Sequence, residues 1–157
     1  MGAHVIEAWA SLYANSSVVR TLLGFAHVAG LIVGGGAAIA ADRGVLRAVR
    51  QTASDLPAQL ATIRSAHSIV LVSLTIVMAS GLMLAASDVD TFLHSPFFWV
   101  KMALVGLLVV NGACMRRAER AATGPRPQWK PLAVTAAASL TLWLLTTLAG
   151  AALPNVH

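Results

Sequence analysis

Four long apolar stretches dominate the chain: Thr21 to Ala41, Ser65 to Ser87, Met102 to Met115 with an apolar lead-in from Thr91, and Pro131 to Val156. A helix rising about 1.5 Å per residue needs about 20 residues to cross a hydrocarbon layer of about 30 Å. The pattern therefore predicts four spans, at residues 19–42, 63–87, 96–116 and 131–153. Ahead of them, Val5, Ile6, Trp9, Leu12 and Tyr13 recur at helical spacing while Glu7 falls on another face. That segment predicts a short interfacial helix, because Trp and Tyr settle at headgroup depth. The expected fold is all-α: a four-helix transmembrane bundle of up-down topology with a short N-terminal interfacial helix, forming one integral membrane domain over residues 1–157.

Punctuation between the stretches supports this division. Asn15-Ser16-Ser17 offers caps for the first spanning helix, and Ser54-Asp55-Leu56-Pro57 supplies a cap and an early helical proline for the second. Gly124-Pro125-Arg126-Pro127 cannot continue a helix, and Lys130-Pro131 then opens the fourth. Arg20 followed by an apolar run and Ala38-Ile39-Ala40 imitates a signal peptide, but the lead of about 20 residues before Arg20 favours a retained span.

Composition narrows the function classes. With 57% hydrophobic and 11% charged residues, an ordinary water-soluble domain is excluded. Four spans leave no room for a separate catalytic domain, so any chemistry lies within the bundle or at its rims. The net charge of +5 would suggest nucleic acid in a soluble protein, yet the cations are segregated. Arg43, Arg47, Arg50 and Arg64 flank the first connection, and Arg116, Arg117, Arg120, Arg126 and Lys130 flank the third. Helix alternation puts both on one face, which the positive-inside rule makes cytoplasmic. The expected setting is a bacterial-type inner membrane with both termini outside. The arginines face lipid headgroups, and no nucleic-acid partner is expected. Cys114 is the single cysteine, which excludes an intrachain disulfide and any cysteine-only metal site.

The candidate chemistry centres on the first span. Gly24, His27, Gly30 and Gly34 share one face. Missing side chains would let a flat macrocycle lie against the helix while the imidazole reaches its iron, but Gly30-x-x-x-Gly34 is equally the small-residue motif of close helix packing. An intramembrane ionisable group is a functional candidate by default, and His27 lies about 9 Å below the outer end of its helix, counting about 1.5 Å per residue from Thr21. Met78, Met83, Lys101 and Met102 fall in the same outer half, whereas His67 lies near the cytoplasmic end. Depth therefore favours His27 with Met78 over His27 with His67 as axial ligands. Lys101 or Arg20 would hold a carboxylate of the ligand. The same imidazole and thioethers of Met78, Met83 and Met102 also suit copper(I).

The stretch Phe25-Ala26-His27-Val28-Ala29-Gly30-Leu31, followed by Asp42-Arg43, resembles the first-helix histidine segment of small bacterial membrane proteins of the CopD and HemJ type. Ser80-Gly81-Leu82-Met83-Leu84 and Pro96-Phe97-Phe98-Trp99-Val100-Lys101-Met102-Ala103-Leu104 resemble their second-helix glycine and third-helix tryptophan-lysine segments. In HemJ-type protoporphyrinogen oxidases the corresponding histidine and lysine are functional and haem b is bound, so the resemblance implies these roles for His27 and Lys101. The chain departs from that pattern in Ala41-Asp42-Arg43-Gly44 and in Asn111-Gly112, which lack the expected proline and histidines. These departures favour an uncharacterised family of the same outline.

The expected function is haem b-linked electron transfer or porphyrin-related redox chemistry at an outer-half site. That site is built from His27, Met78, Lys101, Arg20, Gly30 and Gly34, with a quinone or another redox partner. Two other classes stand beside it: copper handling through His27, Met78, Met83 and Met102, and a non-catalytic subunit of a larger membrane complex or homo-oligomer.

Overall fold

The computed structural model describes residues 2–50, 56–123 and 128–152. Among these residues all regular structure is helical: α1 (Gly2–Asn15), α2 (Ser17–Arg50), α3 (Leu56–Ala85), α4 (Val89–His94), α5 (Pro96–Ala122) and α6 (Lys130–Ala152). Helices α2, α3, α5 and α6 are long and apolar enough to cross a membrane, and the chain is a multi-pass membrane protein.

The boundaries follow local chemistry. Ser16 caps α2, its hydroxyl accepting from the Val19 amide at 3.3 Å. Arg20 closes the preceding helix by donating to the carbonyls of Tyr13, at 3.2 Å, and Ala14, a basic side chain on orphan C-terminal acceptors. Asp88 caps α4 through the Thr91 amide at 3.3 Å. This short helix separates Thr91–Leu93 from the third span, which the apolar pattern had run together; Ser95 and Pro96 restart the chain as α5. The proline-rich stretch 124–127 and the Ser54-Asp55 cap lie outside the described residues.

At 34 residues, α2 is about 51 Å long at 1.5 Å per residue, well beyond the ~30 Å of hydrocarbon. Its surplus carries Arg43, Arg47 and Arg50, and the corresponding end of α5 carries Arg116, Arg117 and Arg120; all six are exposed. The bundle thus has an arginine-rich end and an opposite end, against which α1 folds. Trp9 Nε1 donates to the Met83 carbonyl at 2.8 Å, fastening α1 to the last turn of α3.

Packing is inverted relative to a soluble protein. Phe25, Ile32, Val72, Leu144 and Leu148 are exposed, whereas the interior is rich in Gly and Ala: Gly30, Gly34, Gly35, Ala38, Ala41, Ala118 and Ala136 are all buried. Lipid gives no hydrophobic reward for burying large chains, so helices associate by close contact of small ones. The closest seam joins α2 to α3. A Cβ on Gly34 would lie 2.6 Å from Ser73 Cβ, and one on Gly30 would lie 2.8 Å from Val77 Cγ2. Further seams join α2 to α6 and α5 to α6. Helices α3 and α5 form no comparable seam, and both cavities described below lie between them.

Candidate functional site

Within this cleft an apolar layer of Leu74, Leu108 and Trp143 separates two cavities. The larger, of about 380 Å³, lies toward the end that α1 covers. Its walls bring together His27 from α2, Met78 and Gly81 from α3, Lys101 and Met102 from α5, and Gly150 from α6.

His27 is held by α3. Its Nδ1 is 3.0 Å from Ser80 Oγ, and the Ser80 hydroxyl lies 2.6 Å from the Ile76 carbonyl. A carbonyl can only accept, so the one hydroxyl hydrogen of Ser80 is committed to Ile76, and Ser80 accepts from Nδ1–H. In this tautomer Nε2 keeps its lone pair. Gly81 makes the arrangement possible, since a Cβ there would stand 3.2 Å from His27 Cε1. The ring, not a ligand, fills the space that glycine leaves.

Lys101 reaches the same cavity from α5, with its Nζ 3.4 Å from where a Cβ on Gly150 would be. Among the described residues no carboxylate lies within ion-pair distance of it, the sole such contact being His4 with Glu7 at 3.6 Å. A cation held at the wall of an apolar cavity is a counter-charge for an anionic group.

The structure sorts the sequence-predicted residues. His27, Met78, Lys101 and Met102 share the cavity. Gly30 and Gly34 do not line it; they face α3 in the closest helix seam, so of their two readings the packing one describes their surroundings. Arg20 is engaged with the end of α1, and Met83, 42% exposed, lies outside the cavity with its carbonyl bonded to Trp9. His67 lies beyond the apolar layer and shares no cavity with His27. Exposed His94 sits on α4, its Nδ1 donating to the Asp90 carbonyl at 2.7 Å. Ser80 and Gly81, which orient the imidazole, carried no residue-level signal beyond their place in a resemblance; a serine and a glycine in an apolar helix look like packing residues.

The smaller cavity, of about 120 Å³, lies toward the arginine-rich end and holds Asp42, His67, Asn111, Arg116 and Ser139. Asp42 is the buried acid that the pattern of the sequence did not single out, because it directly precedes Arg43 at the expected end of the first span.

No curated protein and no solved structure matches the chain. One family model matches it from residue 9 to residue 153, taking in Trp9 and all four spanning helices, and the chain belongs to that family of unknown function, DUF6644.

Proposed function

We propose that the larger cavity binds a flat, largely apolar redox ligand bearing a carboxylate, with haem b as the fitting member of that class. The observation that carries this reading is an oriented imidazole beside a cation that no carboxylate among the described residues pairs with. Ser80 holds His27 Nδ1–H, which leaves the Nε2 lone pair for a metal, and Lys101 supplies a positive charge in the same apolar cavity. A ligating histidine whose other nitrogen donates to a fixed acceptor is the usual arrangement at metal sites. The volume of about 380 Å³ is within the range of ~300–1,000 Å³ of small-molecule sites. The donor set also fits: a neutral imidazole and the Met78 thioether, both lining the cavity, are donor types that would hold haem iron.

Bound there, haem b supplies one-electron chemistry whose potential depends on axial ligand and burial. The chain's own residues orient and enclose the group. His27 would ligate the metal, Lys101 would pair with a propionate, and Phe92, Phe98 and Val105 would exclude water. By the positive-inside rule the arginine-rich end is cytoplasmic and this cavity opens in the outer half of a bacterial-type inner membrane. A second reading, copper(I) held by His27, Met78 and Met102, rests on these three donors lining one cavity.

The test is an absorption spectrum of protein extracted from haem-replete cells, oxidised and reduced, followed by haemin titration. A Soret band that is lost in His27→Ala and weakened in Lys101→Met supports haem. Absence of a Soret band both before and after titration refutes it, and stoichiometric copper lost in His27→Ala would establish the second reading instead.

A further inference from the structure

We propose that the smaller cavity is a proton-loading site, in which the Asp42 carboxylate exchanges a proton with water at the arginine-rich face of the bundle. Asp42 is only 4% exposed. The Ser139 hydroxyl bonds to its carboxylate, while Oδ2 is buried without a hydrogen-bond partner among the described residues. The Nε2 of His67, on α3, is likewise buried and unpartnered, and both residues line the same cavity. Two unpartnered titratable groups sharing one enclosure are costly unless water or a proton satisfies them. A cavity of about 120 Å³ holds several waters at ~30 Å³ each.

The groups facing this space favour a proton over a metal ion. From α2 comes Asp42, from α3 His67, from α5 Arg116 and Asn111, and from α6 Ser139, which carries no charge. Arg116 places a permanent cation in the wall, and no ion pair joins it to Asp42 among the described residues. No group of three or more His, Cys, Asp or Glu side chains suited to a metal is present among the described residues. The Asn111 amide donates to the Thr135 carbonyl at 3.0 Å, which leaves Asn111 Oδ1 as an acceptor for a protonated Asp42 or for water.

The path leads to one face only. Leu74, Leu108 and Trp143 close the cavity toward His27, while Arg116 is exposed at its other side. Glu119, about one turn farther along α5, also has a buried Oε1 without a hydrogen-bond partner among the described residues. In the transfer step an O–H bond of a donor at that face breaks, an O–H bond forms at Asp42 Oδ2, and the donor leaves as its conjugate base.

Infrared spectroscopy of the cofactor-free protein in lipid nanodiscs tests this independently of any ligand in the larger cavity. Acidification from ~pH 8 to ~pH 5, the window in which protein switches titrate, should produce a carboxylic acid C=O band that shifts in D2O. The band should be lost in Asp42→Asn and retained in Glu119→Gln. It should change frequency in Ser139→Ala, which keeps the carboxyl and removes its bonded hydroxyl. Retention of the band in Asp42→Asn would place the titrating acid outside this cavity and overturn the proposal. So would an Asp42 that shows no band across the range, or a band suppressed by sodium but not by choline at fixed pH.

Discussion

The α2·α3 seam makes a sharp demand at Gly34. A methyl group there would sit 2.6 Å from Ser73 Cβ, 3.4 Å from its Oγ and 3.5 Å from the Trp143 ring. Carbon atoms in contact prefer about 3.5–4.0 Å, so the two helices must part by about 1 Å. Ser73 Cβ is fixed directly to the backbone, and no rotamer change moves it away. Overpacking of this kind costs ~1–3 kcal/mol. Gly36, two residues on, has nothing within 4 Å of its Cβ position, and alanine there gains ~0.5–1 kcal/mol from helix propensity. The propensity gain is common to both positions, so Gly34→Ala should be ~1–3 kcal/mol less stable than Gly36→Ala. Thermal unfolding in one detergent, followed by circular dichroism, compares the two. Ser73→Gly added to Gly34→Ala removes the atom struck and should recover most of the loss. Equal stability of the two alanine variants, or no recovery in the double variant, would show that the seam is looser than described.

Three further outcomes follow from particular contacts. Nitrogen NMR of labelled histidine should show His27 as the Nδ1–H tautomer, with Ser80→Ala giving a mixture; an Nε2–H form in the parent protein contradicts the assignment of donor and acceptor. Gly81→Ala places a methyl 3.2 Å from His27 Cε1, so the ring must give by a few tenths of an ångström, and haemin affinity should fall in this variant while Gly36→Ala leaves it unchanged. Trp9→Phe removes the donor to the Met83 carbonyl at ~0.5–1.5 kcal/mol; hydrogen exchange should rise in α1 and stay unchanged in α2, and equal exchange in α1 would mean that the indole bond does not hold it.

Much of the fold was legible in the apolar pattern because hydrocarbon thickness sets helix length and leaves few alternatives. The arginines marked where α2 and α5 leave the membrane, and Lys130 marked the start of α6. The separate helix α4 was not legible, since Thr91-Phe92-Leu93 is as apolar as the span that follows and only the Asp88 cap and Ser95-Pro96 distinguish it. Within the larger cavity, depth alone brought His27, Met78, Lys101 and Met102 to a common level. Depth does not determine azimuth, however, so Met83 and Arg20 were placed with the site although one faces outward and the other turns back to α1. Asp42 was hidden for a related reason: an acid beside Arg43 reads as the solvated end of a helix, and only the inward turn of that helix face against Ser139 reveals it as buried.

The two cavities and the closest seam share one cause. Where α2 meets α3 the facing residues are Gly30, Gly34, Ser73 and Val77, short enough for the backbones to touch. On the other side of α3, α5 offers mostly larger residues, among them Lys101, Met102, Leu108, Met115 and Arg116, with Gly112 the exception. Long side chains hold two helices apart and fill the gap unevenly, whereas glycines bring them together. The Leu74, Leu108 and Trp143 layer fills the middle of that gap, and the polar groups lie beyond it at either end, His27 and Lys101 on one side and Asp42 and His67 on the other. Ionisable groups in a membrane are tolerated where protein or water surrounds them. A cleft between α3 and α5, floored by α2 and α6, supplies that surrounding, which is why this small bundle keeps its buried charges there and its lipid-facing surfaces apolar.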